Sequence, residues 1–154
     1  MTSVARPPRR LAAFEIASVP GSERTARTRI ARAVASCGLS PAQLDKLGTA
    51  VGEATMNAIE HGNRGRAELP VEFQVFQSGD EVVVTISDRG GGGDVGCPED
   101  SAELPDLARK LAGEQDPRGW GLFLIRHMVD SVDVTTEGER HTVRLTIRGH
   151  GSDE

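Results

Sequence analysis

Two pairs of short segments constrain the fold of this chain more than any other feature. Residues 69–77 (LPVEFQVFQ) alternate with period two, and residues 81–88 (EVVVTISD) follow after a Ser-Gly-Asp turn. Residues 131–137 and 140–148 form a second such pair near the end of the chain. Strands joined by so short a turn pair antiparallel, so the pattern predicts a sheet built from hairpins.

Helices and a further strand surround these hairpins. Residues 11–19 indicate a first strand, and residues 22–37 a helix that Ser22 can cap. A second helix, opened by a Ser-Pro pair, covers residues 40–62, and helical spacing returns at residues 122–129. This order predicts an α/β (α+β) two-layer sandwich, with helices on one face of a mixed, mostly antiparallel sheet.

The length of 154 residues suits one domain, which we place at residues 11–148. Residues 1–10 and 149–154 are expected to be flexible. Aromatic residues are few (four Phe, one Trp, no Tyr), so the core must consist of Val, Ile, Leu and Ala. The same scarcity and the net charge of −5 argue against a nucleic-acid-binding surface.

Cysteine usage and hydropathy favour a cytoplasmic protein. Cys37 and Cys97 are expected to be reduced thiols, and their spacing fits no zinc site. No apolar segment follows the basic N-terminus, and no run approaches the roughly 20 apolar residues of a membrane helix. We therefore expect neither a signal peptide nor a membrane partner.

The second predicted helix carries a polar stripe beside its apolar one. Glu53, Asn57 and His61 are spaced four residues apart, so they share one side of the helix. The amide oxygen of Asn57 is a hard ligand that suits Mg²⁺. A carboxylate one turn away can orient a hydroxyl or accept its proton. The same stripe is also typical of a solvated helix face.

Two glycine-rich segments can approach a nucleotide. Asp88 ends a strand before the glycines at 90–93, and a carboxylate there can accept a hydrogen bond from an exocyclic amine such as that of adenine. Residues 118–122 (RGWGL) place glycines at the start of a helix, where free N–H groups favour phosphate. A glycine turn and a plain loop-to-helix junction are the alternatives. Residues 91–96 also fit GxGxxG, but no helix signal follows, which argues against a Rossmann unit.

In this order the three segments resemble the nucleotide-binding boxes of the GHKL ATPase superfamily, which has the Bergerat fold. Residues 53–62 resemble its N box. Its two glycine boxes, DxGxG and GxGL, are matched by Asp88, Gly90 and Gly92 and by Gly119, Gly121 and Leu122. The chain is most similar to the anti-sigma-factor serine kinases of the RsbW and SpoIIAB type, because its N box reads ExxxNAxxH from Glu53. No helix pair with a phospho-accepting histidine is expected upstream.

The resemblance implies a role for each matched residue. Asn57 would coordinate the Mg²⁺ that bridges the ATP phosphates, Glu53 would orient or deprotonate the attacking serine, and Asp88 would bind the adenine amino group. Thr142, in the last strand, would assist Asp88. The remaining implied nucleotide contacts are Gly90, Gly92, Arg118, Gly119, Gly121 and Leu122.

The implied function is an ATP-dependent serine/threonine protein kinase that acts as an anti-sigma factor. It would sequester a sigma factor and phosphorylate a STAS-type anti-anti-sigma protein, with no direct nucleic-acid partner, and it is compatible with a homodimer. Two alternatives stay open. One is an ATP-binding protein clamp without kinase activity, and the other is a histidine-kinase-type catalytic domain that acts in trans.

The stretch between the two glycine boxes is unlike a phosphate-binding surface. It contains no Lys or Arg before Arg109. The acidic residues before Arg109 are Asp94, Glu99, Asp100, Glu103 and Asp106. Because such a segment repels phosphates, we expect residues 93–118 to form a solvated, mobile lid.

Overall fold

Five strands form one antiparallel sheet in a computed structural model that describes residues 8–89 and 117–149, with the backbone alone for residues 117–122. Its strands are β1 (Arg9–Ile16), β2 (Val71–Ser78), β3 (Glu81–Asp88), β4 (Ser131–Glu137) and β5 (Arg140–Arg148). Their spatial order is β1-β2-β3-β5-β4. Both predicted hairpins, β2–β3 and β4–β5, are present. The described strands contain no parallel pair, so the sheet is more regular than the mixed one expected.

Three helices of the described residues pack on this sheet. They are α1 (Ser22–Ala33), α2 (Pro41–Asn57) and α3 (Pro117–Met128), and α2 continues into a π-helical turn (Ala58–Gly62). Both α1 and α3 contact α2. Helix and strand side chains share one buried cluster, whose largest members include Ile30, Leu47, Phe73, Ile125 and Leu145. The two-layer α+β sandwich and its mainly aliphatic core are thus confirmed.

The second helix begins where the sequence predicts, for a local reason. The Ser40 hydroxyl accepts from the Gln43 N–H at 3.1 Å, and the Gln43 side chain accepts from the Ser40 N–H at 2.9 Å. This reciprocal pair is a capping box. Gln43 also donates to the carbonyl of Arg148 at 2.7 Å, which ties the start of α2 to the end of β5.

The boundaries at the N-terminal side differ from the predicted ones. The strand β1 covers residues 9–16 rather than 11–19, and α1 ends at Ala33 rather than near Cys37. Ser22 does not cap α1. Gly21 does, with a left-handed φ of 91° and no side-chain hydrogen bond. Cys37 is a free, buried thiol, and burial raises its pKa.

Several expectations fall partly or wholly outside the described residues. Cys97 lies outside them, and so does most of the segment expected to form a lid. Where that segment is described, residues 117–118 begin α3. Residues 9–10, expected to be flexible, belong to β1. Among the described helices, none is both long and apolar enough to cross a membrane.

Candidate functional site

A pocket lies between the end of α2 and the neighbouring face of β3, β5 and β4. Its lining residues are Ala54, Asn57, Ala58, His61, Gly62, Ile86, Asp88, Val134, His141 and Val143. Asn57 and Asp88 are far apart in sequence, yet the fold brings both residues to the lining of one cavity. Apolar walls with a few convergent polar groups are typical of a small-molecule site.

The helical side of the site carries the predicted polar stripe. Glu53, Asn57 and His61 are all half-buried, whereas Glu60 on the same segment is exposed. Neither Glu53 nor Asn57 makes a side-chain hydrogen bond within residues 8–89 and 117–149. The backbone changes from α-helical to π-helical directly after Asn57, and such π turns occur frequently at functional sites. The helix thus presents an amide and a carboxylate that have no hydrogen-bond partner in the part of the chain that the structure describes.

On the sheet side, Asp88 is enclosed by its neighbours. Its side chain is only 9% exposed, and its Oδ1 lies 3.1 Å from Nδ1 of His141. Gly62 closes the other side, because a Cβ added there would lie 2.2 Å from Asp88 Oδ2. The carboxylate can occupy this place because residue 62 is glycine.

Asn63 fixes the backbone next to Asp88, a role that sequence reasoning missed. Its side chain is fully buried, and its Oδ1 accepts from the N–H of Arg89 at 2.8 Å. Its Nδ2 lies within donating distance of the Ser18 hydroxyl and the carbonyls of Leu69 and Pro70. One amide therefore links three loops at the point where β3 ends. The sequence feature that could have indicated this role is the position of Asn63 directly after the segment that resembles the N box.

The expectation that Thr142 assists Asp88 is corrected by the strand register. Thr142 pairs with Ser87, and His141 pairs with Asp88. Since successive side chains of a strand point to opposite faces, Thr142 faces away from the pocket. Its hydroxyl lies 2.8 Å from that of Ser87. The polar group of β5 that reaches Asp88 is therefore the imidazole of His141.

The glycine boxes are described only in part. Gly90 and Gly92 lie outside the described residues. Gly119 and Gly121 belong to α3, which starts at Pro117, so these glycines lie inside the first turns of the helix rather than in a loop before it. The first N–H groups of a helix have no intrahelical acceptor and attract anions. For Arg118 and Leu122 the structure places the backbone in α3.

The donor groups suit one metal ion better than others. Within the described residues, no three His, Cys, Asp or Glu side chains gather as a metal-binding group. This is unlike a zinc site. Mg²⁺ is usually held by one or two protein oxygens, with water and substrate phosphates as the other ligands. The amide of Asn57, which is half-buried in the pocket and has no hydrogen bond among the described residues, fits that pattern.

A comparison with known families decides what kind of domain this is. The sequence profile of the histidine kinase-like ATPase domain matches residues 16–147. The chain belongs to this family. The match includes α2, β3 and β5, which supply the pocket, and membership in the family implies that the domain binds ATP. The resemblance to the GHKL superfamily is thereby confirmed.

Within this ATPase family the chain is related to anti-sigma factors. It is 31% identical over 127 residues to the anti-sigma F factor of Oceanobacillus iheyensis, covering 82% of this chain and 83% of the relative. It is 30% identical over 135 residues to the anti-sigma F factor of Bacillus thuringiensis, covering 86% and 88%. The predicted similarity to anti-sigma-factor kinases is therefore confirmed at the level of the family.

Solved structures support the same fold. The RsbU and RsbW domains of a Mycobacterium tuberculosis protein align with a TM-score of 0.60 at 20% identity, over 89% of this chain and 32% of that longer one. A chain of the SiaB-SiaC complex from Pseudomonas aeruginosa aligns with a TM-score of 0.57 at 17% identity, over 90% of both chains.

Proposed function

We propose that this protein is a Mg·ATP-dependent serine/threonine protein kinase that acts as an anti-sigma factor. The observation that carries the proposal is one pocket lined by buried Asp88 and by Asn57, with Glu53 one helical turn before Asn57. The relatives named anti-sigma F factor, matched over most of their length, support this class of kinase. The protein would hold a sigma factor and phosphorylate a STAS-type antagonist in the cytoplasm.

Different residues of the site would bind the base, the metal ion and the phosphates of Mg·ATP. Asp88 would accept a hydrogen bond from the adenine amino group, and Asn57 would supply an oxygen ligand to Mg²⁺. The backbone around Gly119 and Gly121 would hold phosphate at the start of α3, with Arg118 and Leu122 beside them. Gly90 and Gly92 would let the chain pass close to the nucleotide. Thr142 has no place in this proposal, because it lies on the other face of the sheet.

Glu53 would act on the incoming hydroxyl of the protein substrate. As a carboxylate it can orient the serine hydroxyl and accept its proton while the oxygen bonds to the γ-phosphorus. The bond from that phosphorus to the bridging oxygen breaks, and ADP is the leaving group. Bound Mg²⁺ would neutralise phosphate charge during this transfer. The remaining task of the protein is positioning, for which a site with few side chains is sufficient.

Phosphotransfer to purified partners tests the proposal. The full chain is incubated with γ-labelled ATP and candidate STAS-type proteins, and the labelled product is exposed to acid. Acid-stable phosphoserine or phosphothreonine on the partner supports the kinase. Acid-labile label would instead identify a histidine-kinase activity in trans. ATP binding without label on any partner would leave the nucleotide-dependent clamp. A parallel pull-down of candidate sigma factors, with and without Mg·ATP, tests the second half of the proposal.

A further inference from the structure

The imidazole of His141 is the buried polar group that approaches Asp88 from β5. The side chains of His141 and Asp88 are only 7% and 9% exposed. Their Nδ1 and Oδ1 atoms are 3.1 Å apart, a hydrogen-bond distance. The two residues are direct partners in the β3–β5 register, which places both side chains on the pocket face of the sheet.

The chemistry of the two side chains determines which of them donates the hydrogen bond and which accepts it. When Asp88 is ionised, its carboxylate accepts hydrogen bonds and donates none, so this contact requires the His141 tautomer that carries a proton on Nδ1. A carboxylate has about four acceptor positions, so one bond from His141 leaves capacity for a further donor. A ring nitrogen held in this way also fixes the orientation of the imidazole. His141 therefore restrains the carboxylate without using up its acceptor capacity.

The surrounding contacts restrict Asp88 further. Gly62 lies so close to Asp88 Oδ2 that no Cβ would fit between them. The Oδ1 atom of Asn63 accepts from the N–H of Arg89, the next residue, at 2.8 Å. Together with these backbone contacts, the hydrogen bond between His141 Nδ1 and Asp88 Oδ1 restrains the carboxylate. Loss of that donor would remove one restraint on the carboxylate and would leave a buried acceptor less satisfied.

We propose that His141 is a positioning residue that aims Asp88 at the 6-amino group of the nucleobase, and so sets the preference for adenine over 6-oxo purines. This inference rests on the proposed ATP-binding function and deepens it. A 6-amino purine offers a donor to the aimed carboxylate. A 6-oxo purine offers an acceptor, which the buried negative charge repels.

The experiment compares ATP with two analogues, purine riboside triphosphate, which carries hydrogen at position 6, and inosine triphosphate. Calorimetric titration measures binding of all three to the wild type, His141→Asn and His141→Leu. Asn and Leu have nearly the same shape, but only Asn can place a donor where Nδ1 lies. We expect His141→Leu to bind ATP roughly 3- to 10-fold more weakly, with little change for purine riboside triphosphate. His141→Asn should keep most of the wild-type selectivity.

Two results would overturn the inference while leaving ATP binding intact. One is undiminished preference for ATP over both analogues in folded His141→Leu. The other is an equal loss in the Asn and Leu variants, which would assign the effect to packing of the ring. If His141→Leu does not fold, His141→Val replaces it as the variant without a donor, because Val suits a strand. A wild type that binds neither ATP nor the analogues would overturn the ATP assignment, and the inference with it.

Discussion

The two ends of the candidate site are built in different ways. At the sheet end, Asp88, His141 and Asn63 are buried. Asp88 and His141 lie at hydrogen-bond distance from each other, and Asn63 accepts from the N–H of Arg89, the residue after Asp88. At the helix end, Glu53 and Asn57 are half-buried, and their side chains make no hydrogen bond within the part of the chain that the structure describes. Among the described residues, the polar groups of one end are held by internal hydrogen bonds, and those of the other end are not.

The difference matches the demands that each end would meet. A nucleobase does not change during phosphoryl transfer, so a fixed, buried acceptor can recognise it without further rearrangement. In the proposed reaction, charge would shift at the phosphate end, and only interactions that strengthen in the transition state would accelerate it. Substitutions at the helix end should therefore impair chemistry or metal dependence with little loss of fold, whereas those at the sheet end should impair base binding and stability together.

Replacement of Glu53 by Ala is expected to have the largest effect and to leave the fold intact. Loss of a positioned base lowers the rate of transfer by about 10²- to 10⁴-fold. ATP affinity should stay the same or rise, because a negative charge near the phosphates is removed. Single-turnover transfer to the cognate antagonist measures the rate, and Glu60→Ala, an exposed carboxylate on the same segment, is the control. Equal rates in wild type and Glu53→Ala would exclude Glu53 from the reaction.

Replacement of Asp88 by Asn tests the sheet end directly. The amide presents an NH₂ group and lacks the charge of the carboxylate, so a hydrogen bond to a charged group, worth about 1.5–3 kcal/mol, is lost. ATP binding should weaken roughly 10- to 150-fold. Calorimetric titration measures the affinity, and thermal unfolding checks that the variant folds. An unchanged affinity in the folded variant would remove Asp88 from the adenine site.

Replacement of Asn57 by Ala should separate magnesium from nucleotide. Without its oxygen ligand, the gain in ATP affinity on adding Mg²⁺ should fall by at least about tenfold. Stability should change little, because the Asn57 side chain has no hydrogen bond to lose among the described residues. Titration with and without Mg²⁺ gives the ratio of affinities. A ratio equal to that of the wild type would show that the metal is held elsewhere.

Replacement of Gly62 by Ala tests the tight contact that encloses Asp88. The new Cβ would lie 2.2 Å from Asp88 Oδ2, so the carboxylate or the π-helical turn must move. Such overpacking lowers the free energy of unfolding by about 1–3 kcal/mol, and displacement of Asp88 should weaken ATP binding as well.

Gly48→Ala is the matched control for this substitution. At Gly48 the nearest atom to an added Cβ is a flexible side-chain atom of Arg27 at 3.7 Å, an ordinary contact. Denaturant unfolding of both variants gives the comparison, and Gly48→Ala should be neutral or stabilising because alanine favours a helix. If Gly62→Ala were as stable as the wild type and bound ATP equally well, the contact would have no role in holding Asp88.

Sequence reasoning predicted local features well and long-range register poorly. Both hairpins and the start of α2 follow from turn residues and a capping box that lie within a few positions of one another. The pairing of Asp88 with His141 depends on how β3 meets β5, two strands separated by more than 50 residues. Thr142 was expected at this place because it resembles a threonine of the family, a match of one residue type that carries no information on register. A shift of one residue in the register exchanges the faces of a strand, and the observed register gives the place to His141.

The role of Asn63 was not predicted from the sequence, for a related reason. Nothing in the sequence around Asn63 shows that its amide would meet the N–H of Arg89 or the hydroxyl of Ser18, since those partners come from distant segments. A buried side chain with several backbone partners is visible only once the loops are in place. The polar stripe on α2 was predictable because its spacing is fixed by the helix alone.

Replacement of Thr142 by Val is expected to have the smallest effect, and it tests the register that separates the two faces of β5. The change removes the 2.8 Å hydrogen bond to Ser87 and keeps the shape of the side chain. Stability should fall by about 1 kcal/mol, because one neutral hydrogen bond is lost. ATP affinity should not change, since this side chain points away from the pocket.

His141→Val introduces the same side chain one position earlier, on the pocket face of β5. This variant should weaken the preference for ATP, which Thr142→Val should leave unchanged. Titration of the two variants side by side decides the matter. A loss of ATP affinity in Thr142→Val comparable to that in Asp88→Asn would mean that β5 is shifted by one residue and that Thr142, rather than His141, is the partner of Asp88.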